Sequence, residues 1–230
     1  MADPGVYNKD QNEYARLIEE LYAAYPNGVT LPPEYASYVE NGLMNLLIRL
    51  ARYKFAARML RPTDRVLEVG SGSGLGATFL AQHCAHVTGI DVKSTEVEEA
   101  RSLSRRSNVE FRVADLFTAQ DLGQFDVVVN LDVIEHFPEE QGRKLVQCMA
   151  SRLNPTGMMI LGTPSFHAWQ YQSALSKASH FKCYEQHELA AVVDASFGRT
   201  LLFSMNDEIV HTGSPKMAWY YFALGLLPKP

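Results

Sequence analysis

Three glycines at alternate positions constrain this chain more than any other feature. They close the run Val66-Leu67-Glu68-Val69-Gly70-Ser71-Gly72-Ser73-Gly74. The apolar start reads as a buried strand. Glycine has no Cβ to keep a ligand off the backbone of the loop that follows. Residues 75–83 read as a helix, so its unpaired N-terminal N–H groups face the same loop. A strand, a bare loop and a helix N-terminus together make the nucleotide-binding corner of a doubly wound α/β sheet.

The rest of the chain suits that corner. Residues 12–25 carry Tyr14, Leu17, Ile18, Leu21 and Tyr22 at helical spacing, and Pro26, Asn27 and Gly28 end the pattern. A longer helix is expected over 34–60. From 66 onward, strands alternate with helices: strands at 66–69, 87–91, 109–114, 125–131 and 158–161, helices at 75–83, 95–105 and 139–153. Such alternation implies a parallel sheet covered on both faces, and the nearly continuous apolar run 125–131 fits a strand with no solvated face. A helix over 185–196 and strands over 201–205 and 217–226 finish the chain. The expected fold is α/β, a doubly wound, Rossmann-like and mostly parallel sheet of seven strands with an antiparallel edge strand. Residues 1–60 are expected to form an N-terminal helical lid or cap and 61–230 the main α/β domain, together one compact domain overall.

Bulk properties narrow the function. The chain has 230 residues, 47% of them hydrophobic, and a formal charge of -5. That is enough for a substantial core and carries no broad basic footprint for a long nucleic acid. Cys84, Cys148 and Cys183 are odd in number and widely spaced, as expected of reduced thiols in the cytoplasm. The opening residues have no secretory pattern, and the apolar stretch 217–227 is shorter than the roughly 20 residues a spanning helix needs. A cytoplasmic monomer or homodimer with no membrane span and a small-molecule substrate is the expectation.

Two nucleotides compete for the glycine loop. Gly72-Ser73-Gly74-Leu75-Gly76-Ala77 fits the dinucleotide pattern G-x-G-x-x-G/A, which would suit an NAD-dependent oxidoreductase. The wider frame, Glu68-x-Gly70-x-Gly72-x-Gly74, resembles motif I of class I S-adenosylmethionine-dependent methyltransferases. Asp91 follows at the end of the next strand, where an acid serves either cofactor by accepting ribose hydroxyls. Ala114-Asp115-Leu116 and Asn130-Leu131-Asp132-Val133-Ile134-Glu135-His136 stand where the methyltransferases carry their later motifs. The resemblance covers 60–163 and implies residue roles. Gly70, Ser71, Gly72 and Gly74 would pass along the methionine part of S-adenosylmethionine, with Glu68 near its amine or bracing the loop. Asp91 and Val92 would hold the ribose, Ala114 and Asp115 the adenine, and Asn130 and Leu131 the sulfonium end. Without a ligand, Asp115 would cap a helix. Arg52 would pair with the cofactor carboxylate or lie in solvent.

A cluster of acids and imidazoles follows the fourth strand. Asp132, Glu135 and His136 are three and four residues apart, a spacing that puts side chains on one helical face. His180 comes before a late helix. The layout resembles the E-x-x-E-H element, Thr-Pro turn and late histidine of ubiquinone-type (UbiG-like) O-methyltransferases and of small-RNA 3′-end 2′-O-methyltransferases. Asp132 stands here for the first glutamate, and Thr163-Pro164 supplies the turn. The resemblance implies a divalent metal, Mg²⁺, Mn²⁺ or Zn²⁺, held by Asp132, Glu135, His136 and His180 and chelating neighbouring substrate hydroxyls. Acting without metal, His136 would be the general base, with Glu135 beside it. His167, His187 and His211 are further candidates.

The loop after the fourth strand lacks the [D/N]-P-P-[Y/F] pattern of nucleobase amino methyltransferases. The expected reaction is therefore methylation of a hydroxyl on a small molecule, a sugar-type or catechol-like diol. N- or C-methylation of another metabolite, and a non-catalytic methyltransferase-like subunit presenting Trp219-Tyr220-Tyr221-Phe222 to a partner, are the alternatives. The segment 203–213 suits either a substrate wall or a plain hairpin turning at Asn206-Asp207.

Overall fold

The computed structural model describes residues 11–229. Met1–Leu31 and Pro32–Pro230 are two separate compact units. The first contains α1 (Gln11–Ala24), whose Arg16 and Glu20 pair one turn apart. In the second, α2 (Pro33–Asn41) begins on a proline at its first position, where no backbone donor is needed. The single helix expected over 34–60 is instead two. The Gly42 N–H still closes the last turn of α2 on the Tyr38 carbonyl, but its backbone leaves helical angles at φ -164° and ψ 52°, and α3 (Leu43–Arg58) starts anew. Glycine is a poor helix residue, and the Asn41-Gly42 pair is a break signal.

Eight strands form one sheet in the order β3-β2-β1-β4-β5-β8-β6-β7. β1 (Arg65–Val69), β2 (His86–Asp91), β3 (Val109–Val113), β4 (Phe125–Leu131) and β5 (Leu153–Pro164) are parallel. The helices α4 (Leu75–Leu80), α5 (Ser94–Leu103) and α6 (Glu139–Ala150) connect them. The expected Rossmann-like α/β fold is thus present. Antiparallel pairing occurs both inside and at the edge. β8 (Tyr220–Pro228) inserts between β5 and β6 (Phe197–Asn206), while the three-residue β7 (Ile209–His211) closes the sheet as an eighth strand. So short an edge offers little template for unwanted pairing. The 203–213 segment is the hairpin joining β6 to β7, with Asp207 at φ 49° in its turn.

The two-residue period of the strands divides the core. Leu67, Val128, Met159, Tyr221 and Ala223 pack against α6 and against α8 (Gln186–Asp194). Val66, Val127, Val129, Ile160, Phe222 and Leu224 pack against α3, α4 and α5. Tyr220, Tyr221 and Phe222 are therefore buried strand residues and offer no partner surface; only Trp219 of that aromatic run is exposed. A capping box between Glu185 and Glu188 opens α8. Among the described residues, no helix is long and apolar enough to cross a membrane.

Gly225, paired between Met159 and Thr200, lets the sheet close over the buried Phe197 ring. A Cβ there would lie 2.6 Å from the ring. Gly225→Ala is expected to cost about 1–3 kcal/mol by overpacking, read as a lower urea midpoint at unchanged slope.

Candidate functional site

The strand order reverses between β1 and β4, and there the carboxyl ends of the parallel strands leave a crevice. The glycine loop occupies it. Gly70, Gly72 and Gly74 have φ of 75°, 50° and 85°, a region that side chains rarely adopt. At Gly72 a Cβ would project toward open space, its nearest neighbour a Glu96 oxygen at 3.9 Å. At Gly74 it would strike Ala100 at 2.6 Å, so this glycine seats the loop on α5. Gly70 and Ser71 both donate to the Ile90 carbonyl at 2.9 Å, which ties the loop to β2.

The expected cofactor residues converge on this crevice, except that several are engaged with the protein itself. Asp91 accepts from the Gly72 and Lys93 N–H groups, both at 3.0 Å. It braces the loop as well as ending β2. Val92 is exposed beside it. The Ala114 N–H bonds the Asp91 carbonyl, and Asp115 accepts from Phe117 N–H at 2.9 Å in a turn, not as the helix cap of its alternative reading, since among the described residues no helix lies between β3 and β4. Asn130 donates to the Val69 carbonyl at 3.0 Å and Leu131 is buried behind it.

Other polar atoms here have no partner among the described residues. Both oxygens of buried Glu68, the Ser71 and Ser73 hydroxyls and Asn130 Oδ1 are in this state. Buried polar groups are nearly always satisfied, so this concentration suits a polar ligand. Burial pushes the Glu68 carboxyl up to about 8; Tyr53 and the Arg49 charge oppose the rise, and Asp91 adds to it.

The acid and imidazole cluster forms one strand further along. A 3-10 turn, Ile134–His136, follows β4. Glu135 is buried, and its Oε2 accepts from the Thr163 hydroxyl of β5 at 3.0 Å. Its carbonyl accepts from Phe181 and Lys182 at 2.8 and 3.2 Å, which brings His180 against His136 with ring centroids 5.0 Å apart. One ligand atom from each of Glu135, His136 and His180 lies within 4.8 Å of the others. Glu135 Oε1 and His180 Nδ1 are buried without partners. Burial raises the Glu135 carboxyl to about 8, with the Asp132 charge reinforcing it. Burial and then His136 lower the His180 imidazole, which favours its neutral, metal-competent form. His136 Nδ1 lies 3.0 Å from the Ser179 carbonyl. A carbonyl only accepts, so in the neutral ring this nitrogen carries the proton and Nε2 holds the lone pair.

Asp132 does not join the group. Its backbone sits at φ 59°, and both of its oxygens bond Arg52 Nη1 at 2.7 Å. The shared helical face expected for Asp132, Glu135 and His136 fails because the turn begins only at Ile134. Arg52 in turn lies 4.1 Å over the Tyr220 ring. Its expected partners were a cofactor carboxylate or solvent, and nothing in the local sequence pattern linked it to Asp132, 80 positions away. Of the remaining histidines, His167 lies in a 3-10 helix, Phe166–Tyr171, His187 lies at the start of α8 near Glu185, and His211 accepts from Gly213 N–H.

A cavity of about 640 Å³ opens on this cluster. Glu34, Arg49 and Arg52 of α2 and α3 line one side, and Ser173, Ser176 and Ser179 another. At the rim Tyr171 and Trp219 stack nearly parallel, with centroids 5.5 Å apart. The volume falls in the range of small-molecule sites.

Residues 66–157 match the family model of a methyltransferase domain. Among curated proteins, the chain is 37% identical over 112 residues to the ubiquinone biosynthesis O-methyltransferase of Xanthomonas campestris, covering 47% of this chain and 46% of that one. The chain thus spans about half the length of the curated relatives it matches. Its fold is similar to a SAM-dependent methyltransferase from Thermotoga maritima, with TM-score 0.64 and 17% identity over 84% of this chain and 94% of the other. It is also similar to the magnesium protoporphyrin IX methyltransferase of Synechocystis with bound SAH, with TM-score 0.57 and 19% identity over 94% of each chain.

The Glu68 carboxyl gives a test of the crevice. Its pKa of about 8 lies above the ordinary 4.5, so the folded state keeps a proton that the unfolded state releases. The stability tied to that proton is complete below about pH 4.5 and is lost as pH rises toward 8, a change on the order of 4 kcal/mol. Glu68→Gln should remove this slope. Its melting temperature relative to wild type should climb between pH 5 and pH 8 in ligand-free protein, and parallel curves would mean that Glu68 is ionised throughout.

Proposed function

We propose that the chain is a class I S-adenosylmethionine-dependent methyltransferase related to the ubiquinone-type O-methyltransferases, and that it methylates a hydroxyl of a small molecule. The observation that carries this reading is the Glu135–His136–His180 cluster, which opens on a cavity of small-molecule size. S-adenosylmethionine supplies an electrophilic methyl group on its sulfonium. Gly70, Ser71, Gly72 and Gly74 would hold its methionine part, and the unpartnered Glu68 carboxylate would meet its ammonium group. Asp91 with Val92 would take the ribose, Ala114 and Asp115 the adenine, and Asn130 with Leu131 would flank the sulfonium. All of these positions lie at or just beyond the carboxyl ends of β1 to β4.

A divalent cation, when bound, acidifies a coordinated hydroxyl and so removes the need for a strong base. Glu135, His136 and His180 fit such an ion: Oε1 of Glu135 and Nδ1 of His180 lack partners, and His136 presents a bare Nε2. Oxygen and imidazole donors suit Mn²⁺ or Zn²⁺, and Mg²⁺ less well. The cluster's residues would orient the acceptor oxygen, and the cavity wall would fix the rest of the molecule against it. Two adjacent hydroxyls, as on a sugar or a catechol, are the acceptor group this arrangement favours. Helices α2 and α3 wall the cavity, which supports a lid role for that part of residues 1–60.

His136 acting alone is a second reading, favoured by the Nδ1 bond to Ser179 that points a neutral imidazole's lone pair away from the backbone. The two separate by chelation. Transfer of labelled methyl from S-adenosylmethionine to a panel of diols should fall at least about tenfold after metal stripping and recover with Mn²⁺. Turnover indifferent to chelation would assign the proton to His136 alone. In either case His136→Ala should lower turnover by about 10²–10⁴-fold while S-adenosylhomocysteine binds within threefold of wild type. Equal losses in both would remove His136 from the chemistry.

A further inference from the structure

We propose that Arg52 is a positioning residue that holds Asp132 out of the Glu135–His136–His180 cluster, so that a divalent cation there takes three protein ligands and keeps its other positions for the acceptor. The inference rests on the cation reading above. Asp132 has the right chemistry for a fourth ligand and the right neighbourhood. It lines the same cavity as Glu135, His136 and His180, and its charge acts on both Glu135 and His180. It is nevertheless absent from the group of atoms within ligand distance of one another.

The geometry gives the reason. Nη1 of Arg52 bonds both Asp132 oxygens at 2.7 Å, so neither oxygen is left with its full donor strength for a metal. The arginine is itself fixed. It projects from α3, its charge lies 4.1 Å over the Tyr220 ring, and the pair is about four-fifths buried. Tyr220 is held in turn by the β5–β8 register, opposite Pro164. The Asp132 backbone, at φ 59°, is set by the bond from its N–H to the Gly162 carbonyl, which extends the β4–β5 ladder by one residue. Clamp and carboxylate are therefore positioned by separate elements. A catalytic metal site typically keeps a coordination position open for substrate. With three protein donors a six-coordinate ion keeps three positions, enough for both oxygens of a diol and a water, where a fourth protein donor would leave only two. The ion pair keeps the fourth donor near enough to contribute its negative charge and too engaged to occupy a site.

The test is calorimetric titration of Mn²⁺ into the chelator-treated full chain, comparing wild type with Asp132→Asn, Arg52→Gln, the double variant and His180→Ala. His180→Ala should weaken binding at least about tenfold, as loss of a ligand does, whereas Asp132→Asn should stay within about threefold of wild type. Arg52→Gln should bind about tenfold more tightly, because the released carboxylate joins the ion, and the gain should vanish in Arg52→Gln/Asp132→Asn. A gain of equal size in both backgrounds would mean that Arg52 acts only by charge repulsion and would overturn the clamp. A loss in Asp132→Asn matching that of His180→Ala would make Asp132 a ligand and overturn it as well. If Arg52→Gln does not fold, Asp132→Asn alone decides in the same way. Absence of Mn²⁺ binding to wild type would sink the cation reading itself, an outcome distinct from bound metal with a failed clamp.

Discussion

The parallel pairing of β1 with β4 is the constraint on which the rest of the molecule depends. Val66, Leu67 and Glu68 lie in register with Val127, Val128 and Val129, and every strand from β1 to β5 runs the same way. Their loops therefore emerge at one edge of the sheet, and the reversal of strand order holds two of those loops apart. The glycine loop leaves β1 and the Asp132-to-His136 turn leaves β4. The glycine loop and the acid–imidazole cluster therefore stand at the same edge of the sheet, because the sheet gives them no other place.

That arrangement has an energetic cost in carboxylates. Glu68 and Glu135 are both buried at strand ends, and both are pushed up to about 8, chiefly by burial. Neither has a full set of hydrogen-bond donors among the described residues. A domain does not need such groups for its core, where isosteric apolar residues serve better. The proposed ligands would each bring positive charge to one of them, an ammonium group to Glu68 and a cation to Glu135, and that would be the physical link between the fold and the proposed reaction.

Much of this was legible in the sequence, and what was not has identifiable causes. The glycine spacing from Gly70 to Gly74 and the apolar run at β4 are local patterns, so corner and sheet followed from them. Glu135, His136 and His180 carried donor chemistry in their residue types and were foreseen as a group. The Arg52–Asp132 pair was not, because it joins α3 to the end of β4 across 80 residues and no periodicity reports such a contact. The 3-10 turn defeated the helical-spacing argument for Asp132: with no helix before Ile134, positions three and four apart need not share a face. The helix break at Gly42 rested on a weak propensity signal inside a strong apolar period. The place of β8 between β5 and β6 is a tertiary pairing choice that strand content does not encode.

The account depends most on the nature of the nucleoside in the glycine crevice. Calorimetric titration of the full chain with S-adenosylhomocysteine, run beside Asp91→Ala, tests it most directly. Micromolar binding, about -8 kcal/mol, weakened at least about tenfold in Asp91→Ala is the expected result. No heat at any concentration, together with binding of a nicotinamide dinucleotide, would contradict it.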